Sequence, residues 1–187
     1  MSQTLVVLCS IAAVLVFWGV GVHNRLIRLR SAIATAHAQL DAHLVRRYAL
    51  IPRWVELAQA YFGDAPALLE SSSAASQQAS AAADALRSAP SSATALRALA
   101  LADSVLKDAM QNAQDRLNTD ALHAAYLAVD QSLRDCSAEL DATSSALGFA
   151  KESYNQAVLA YSAAIAQFPA VVLAKITGRK HAAVWLG

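Results

Sequence analysis

Residue types able to do chemistry are present, and their spacing decides what they can do. His37 and Asp41 lie four apart, which puts both on one helix face and offers a metal ion two ligands. A structural zinc site needs four, and no second pair at helical spacing joins them; His43 is six residues from His37, on another face. Asp135, Glu139 and Asp141 could pair for acid–base work, but a di-iron bundle needs Glu-x-x-His on two helices and the chain has none. A glycine-rich phosphate loop, a nucleophile elbow and a zincin helix are likewise missing from the sequence. Cys9 sits in an apolar run and Cys136 on a helical core stripe, so both read as small buried hydrophobes rather than a disulfide. No catalytic residue, cofactor, metal or small-molecule substrate is expected.

The basic residues are the better candidates for recognition. Arg25, Arg28, Arg30, Arg46, Arg47 and Arg53 all fall within one helical segment. The first three have a ready use in membrane topology and anionic-lipid contact. Arg46-Arg47-Tyr48 is the sharper case, because Arg47 interrupts an apolar seven-residue series. An arginine there either snorkels or pairs with an acid from another helix, and a partner or anionic-ligand contact is the competing use. Tyr154, Asn155 and Tyr161 pose the same choice near the other end of the chain. The tyrosines belong to a core series, whereas Asn155 lies beside it and could hydrogen-bond a facing helix to fix register.

These groups are carried on a chain of 187 residues that is 56% hydrophobic and holds only 6 Gly and 4 Pro, the composition of helices. Residues 24–62 carry a net +4, residues 63–150 a net −6 and residues 151–187 a net +3, for +1 in all. So balanced a total draws the protein to no nucleic acid.

Residues 1–22 hold no charge and contain the apolar run Leu5–Val22; eighteen to twenty-two such residues span about 27–33 Å at helical rise. Trp18 falls where an interfacial ring belongs, and the arginines from Arg25 onward place that flank in the cytoplasm. A cleaved signal peptide would want a basic segment ahead of the apolar run, where only Met-Ser-Gln-Thr stands. The reading is a single-pass anchor over residues 1–23, N-terminus outside, in a bacterial cell (inner) membrane.

Beyond the anchor, Leu26, Ile33, Leu40, Trp54 and Tyr61 share one series with Arg47, beside Leu44, Ile51 and Ala58. The spacing predicts a long amphipathic helix to about Phe62, kinked or bounded at Pro52. An Ala/Ser/Gln-rich second helix over 67–89 follows. A third, capped by Ser91 or Ser92, runs to about Leu117 with Leu96, Leu99, Leu106, Met110 and Ala113 inward. The last helix is expected over about 120–167, capped within Asn118-Thr119-Asp120. Its Tyr126, Leu133, Leu140, Leu147, Tyr154, Tyr161 and Phe168 are spaced by seven, with Val129, Cys136, Thr143, Ala150, Ala157 and Ala164 three residues on. The fold class is therefore all-α: a transmembrane helix followed by an elongated antiparallel up-and-down bundle over residues 24–169. The tail, 170–187, is apolar and then basic with Trp185, a mixture suited to a membrane surface.

Asn24-Arg25-Leu26 after an anchor, Ala38-Gln39-Leu40-Asp41 and Arg46-Arg47-Tyr48-Ala49-Leu50-Ile51-Pro52 resemble the opening of the LemA family. Tyr154-Asn155-Gln156-Ala157-Val158, Tyr161-Ser162 and Phe168-Pro169 resemble its closing signature. The chain departs from the pattern at His37, Trp54, Thr143-Ser144-Ser145, Lys151 and Ser162, which marks a diverged member. The resemblance implies a bacterial membrane protein with an N-terminal anchor, a helical bundle and no established catalytic activity. The functional expectation is a membrane-anchored interaction or scaffold protein that binds another protein or a second copy of itself. The alternative is a membrane-surface or lipid-binding module using the basic first helix and the C-terminal tail.

Overall fold

The computed structural model describes residues 2–63, 65–90, 92–119, 130–167 and 183–185. Among these residues there are four α-helices and no strand: α1 (Ser2–Ala58), α2 (Pro66–Ser88), α3 (Ala93–Thr119) and α4 (Gln131–Ala166). One 3₁₀ turn, Gln59–Tyr61, extends α1. Most of the tail, Tyr126, Val129 and Phe168-Pro169 lie outside the described residues.

Anchor and first bundle helix are one element of 57 residues, about 86 Å at helical rise. Its apolar end is a candidate membrane span, with an 18-residue window of mean hydropathy 2.6 that buries nothing against the rest of the protein. Within it the Ser10 hydroxyl donates to the Val6 carbonyl at 2.9 Å, so the polar atom is satisfied without water. Pro52 marks no boundary, contrary to one expectation. Ile51 and Trp54 on either side of it are fully buried, and their packing holds the helix through the missing backbone bond.

Every bundle helix buries residues at seven-residue spacing. In α3 the inward sets are Leu96, Asp103, Met110, Leu117 and Leu99, Leu106, Ala113. In α4 they are Leu133, Leu140, Leu147, Tyr154, Tyr161 and Cys136, Thr143, Ala150. Towards the end of α4 the buried companion moves one residue on, to Val158 and Ile165. A straight helix drifts against a seven-residue repeat, so the inward face migrates in this way. The thin face of α2 is Ser72, Ala75, Ser76, Ala79 and Ala83, with Leu69 and Leu86 at its ends. Small side chains bring α2 close to α3, and the Ser72 hydroxyl donates to the Leu68 carbonyl at 2.9 Å and the Ala109 carbonyl at 3.3 Å. α1 packs most extensively on α4 and α2 on α3, and the two pairs meet along α1 and α2.

Helix ends follow their local chemistry. Pro66 opens α2, and the Ser92 hydroxyl accepts the Ala95 N–H to cap α3. The last helix does not begin near residue 120 as one unbroken element. Asp130 is extended and caps a helix starting at Gln131, its Oδ1 accepting the Leu133 N–H at 3.0 Å. The other oxygen, Oδ2, accepts the Tyr61 hydroxyl at 2.9 Å and ties the far end of α1 to the start of α4. These hydrogen bonds, the Leu133 N–H first, hold the Asp130 carboxyl below its ordinary range.

Candidate functional site

The buried core divides into three clusters along the bundle. Trp54, Phe62, Leu106 and Leu133 belong to the one far from the anchor; Leu40, Leu99, Leu147 and Val158 to the middle one; Leu26, Tyr161, Ala164 and Ile165 to the one near the anchor. Between the far and middle clusters sits an ionic centre built by three helices. Arg47 of α1 donates from Nη1 to Asp103 Oδ1 of α3 at 2.7 Å, the two side chains being only 7% and 6% exposed. Lys151 of α4 donates to the other oxygen, Oδ2, at 2.6 Å.

Each charge falls where an apolar residue is expected. Arg47 stands between Leu40 and Trp54, and Asp103 between Leu96 and Met110. Desolvating either alone costs several kcal/mol, on the order of 3–5 when one partner of such a pair is removed. Together they join α1 to α3 and, through Lys151, to α4. The Tyr48 hydroxyl beside them is enclosed and has no hydrogen-bond partner among the described residues. Burial, and then the Asp103 charge, push its ionisation well above the ordinary tyrosine value. A second ionic link runs from Arg87 of α2 to Asp41 of α1 at 2.8 Å, with Asp84 on the same guanidinium.

Residues 183–185 lie against this centre. Asn155 donates from Nδ2 to the Trp185 carbonyl at 3.1 Å and accepts the Trp185 N–H at 2.7 Å, so one amide takes both main-chain groups of that residue. The Tyr154 hydroxyl donates to the Ala183 carbonyl at 3.2 Å. The Lys151 ammonium stacks over the Trp185 ring, 4.8 Å from its centroid. Trp185 is 5% exposed and packs in the middle cluster. Its assignment to a membrane surface is thereby corrected: a large ring with both backbone groups paired gains more from the core than from the interface. Asn155 also holds this segment rather than a facing helix, because it lies at the flank of α4 and not in its seam. Tyr154 is buried in the middle cluster and Tyr161 in the one near the anchor.

The remaining expected contacts separate by exposure. Arg25, Arg28, Arg30 and Arg46 face solvent. Arg46 pairs with Glu139 of α4 at 2.8 Å on the surface. Arg47 is turned inward and Tyr48 is half-buried, so neither offers its polar group to a partner. The His37 ring meets Tyr154 edge-on at 6.1 Å, and Asp41 is taken by Arg87. Among the described residues no group of three or more His, Cys, Asp or Glu side chains could hold a metal ion.

Sequence reasoning named Arg47, Tyr154 and Asn155 but not the groups they meet. Asp103 had a signal, since it interrupts its own apolar series as Arg47 does. Trp185 had none, being separated from Asn155 by 30 residues without a pattern linking them.

A search of curated proteins returned no match. The LemA family model matches residues 36–186, a stretch that begins six residues past Arg30 and takes in the ionic centre together with Trp185. Over that span, well above half its length, the chain belongs to the LemA family.

Proposed function

We propose that the protein is a membrane-tethered interaction or scaffold protein without catalytic activity, whose α1 helix presents a docking face for another protein or a second copy of itself. What supports this is the outward side of α1. Ala38, Ala42, Val45, Ala49 and Pro52 recur at helical spacing, all exposed and none charged, and Val45 is 48% exposed. The inward side is engaged in the bundle, so this strip is a second face that packing among the described residues does not use. Small side chains allow a partner backbone to approach closely. The helix is continuous with the anchor, which holds the face at a fixed height above the bilayer. Arg25, Arg28 and Arg30 favour a cytoplasmic bundle in a bacterial inner membrane, with the N-terminus on the other side.

Site-directed photo-crosslinking from position 45 in native membranes tests the reading, with position 152 on the exposed side of α4 as control. A discrete adduct from 45 alone is expected, at twice the monomer mass if the partner is a second copy. Adducts from neither position, or equally from both, would remove the support.

A further inference from the structure

Where α1 leaves the membrane, a groove of about 300 Å³ opens between it and the end of α4, lined by Leu26, Ile27, Arg30, Ser31, Ala34 and Tyr161. Among the described residues only α1 and α4 build the small cluster beside it, and no α2 or α3 side chain is among its lining residues. Its floor is apolar, from Leu26, which is buried, and Ile27, which is 49% exposed. Among the described residues Arg30 is the one charged side chain lining it.

We propose that this groove binds an anionic phospholipid of the same bilayer, its phosphate held by Arg30 and its glycerol backbone seated on Leu26 and Ile27. Depth is the first argument. Because α1 is one continuous helix, Leu26 lies about 6 Å and Arg30 about 12 Å beyond Val22 along the axis. The polar layer of a bilayer is about 5–8 Å thick on each side. Side chains on a helix lean towards its N-terminus, here the membrane, so an extended Arg30 side chain can reach back to that layer. Charge is the second argument. Arg25, Arg28 and Arg30 are all exposed, and no carboxylate among the described residues pairs with any of them. Three guanidinium groups within about 12 Å of the end of the span, paired with no described carboxylate, favour an anion over a zwitterion. The site shares no residue with the Ala38–Pro52 face and stands whether or not that face has a partner.

The test is to reconstitute the full-length protein in nanodiscs of equal phosphatidylcholine and phosphatidylglycerol. Native mass spectrometry then counts the lipids that remain bound after release. The expected result is enrichment of phosphatidylglycerol in the retained lipid by about fivefold over the bulk ratio. Arg30→Gln should lose most of it, Ala34→Trp should abolish it by filling the groove, and Arg53→Gln, further along α1, should retain it. Ala34 is exposed, and an unchanged helical circular dichroism spectrum would show that the tryptophan variant is folded. Ser31→Trp is the second filling variant should it not be. Retained lipid at the bulk ratio, or enrichment that survives both Arg30→Gln and the filling variant, overturns the proposal. So does a photo-crosslink from position 34 to the protein's own C-terminal segment in place of lipid.

Discussion

The Lys151 ammonium lies 4.8 Å from the centroid of the Trp185 ring, and the same ammonium donates to Asp103 at 2.6 Å. One lysine thus couples a residue near the chain end to the ionic centre between α1, α3 and α4. The ring shields the ion pair on one side, and Asn155 fixes the ring's backbone on the other. Removing the ring should therefore expose the Lys151–Asp103 pair to water as well as delete apolar contacts. Trp185→Ala is expected to lower unfolding stability by about 3 kcal/mol, near the bottom of the range for a buried aromatic. Trp185→Phe keeps much of the packing with a weaker cation–ring attraction and should lose about 1 kcal/mol. Denaturant unfolding of the full-length protein in detergent checks both, and no measurable loss for Trp185→Phe would show that the lysine–ring attraction contributes nothing.

Asp103 serves two cations, whereas each cation has one carboxylate. The centre should respond asymmetrically. Asp103→Asn leaves Arg47 buried without a counter-charge and is expected to cost about 3–5 kcal/mol. Arg47→Met leaves Asp103 still paired to Lys151 and fills the space with an apolar chain, so its loss should be smaller, about 1–2 kcal/mol. The double variant Arg47→Met with Asp103→Leu should recover part of the Asp103→Asn deficit. Thermal unfolding of the three variants in one detergent measures the order, and an Arg47→Met loss as large as that of Asp103→Asn would contradict this account.

The fold was largely legible because repetition carries it. Seven-residue series in Leu133–Tyr161 and in Leu26–Trp54 state which face is buried, and turns at Gly63–Pro66 and near Pro90 separate the helices. The start of α4 was not legible, because the apolar spacing continues back to Tyr126, while Asp130 caps the helix with one oxygen and takes the distant Tyr61 hydroxyl on the other. The site was half legible. A charge on an apolar series announces a buried pair but not its partner, since which acid it meets depends on how the helices are placed in space. Trp185 was read from composition as interfacial, and only the main-chain bonds from Asn155 show that it belongs to the core.

Tyr48 offers a stabilising change. Its hydroxyl is enclosed without a partner, and an unmet buried hydroxyl costs on the order of 1–3 kcal/mol. Tyr48→Phe is expected to raise stability by about 1 kcal/mol at neutral pH and to raise the melting temperature accordingly. The same residue contributes to alkaline sensitivity. Burial raises the folded-state ionisation of Tyr48 and of Tyr154 above the ordinary value of 10.0. The stabilisation tied to each is complete below pH 10 and is lost as pH rises above it, because the unfolded chain gives up those protons first. Stability of the parent protein should fall between pH 10 and 12, and that of Tyr48→Phe should fall less steeply. Parallel curves for the two would show that the Tyr48 hydroxyl is solvated.

At acid pH the corresponding group is Asp130. Its carboxylate caps α4 through Leu133 and holds Tyr61 at the end of α1, and these bonds lower its pKa from the ordinary 3.8. The sign is opposite to that of the tyrosines. The stabilisation is fully present above the ordinary carboxylate value and is lost as pH falls below it, when the unfolded chain takes up the proton before the folded one does. Asp130→Asn retains an N-cap acceptor but cannot titrate, so its melting temperature should be close to the parent's at pH 3 and lower at pH 7. Asp130→Ala removes the cap and the Tyr61 acceptor together and should melt lower than Asp130→Asn at both values. Melting measured by circular dichroism across pH 3–7 separates the two contributions. A gap between parent and Asp130→Asn that stays constant over this range would mean that the Asp130 charge adds nothing beyond the capping oxygen.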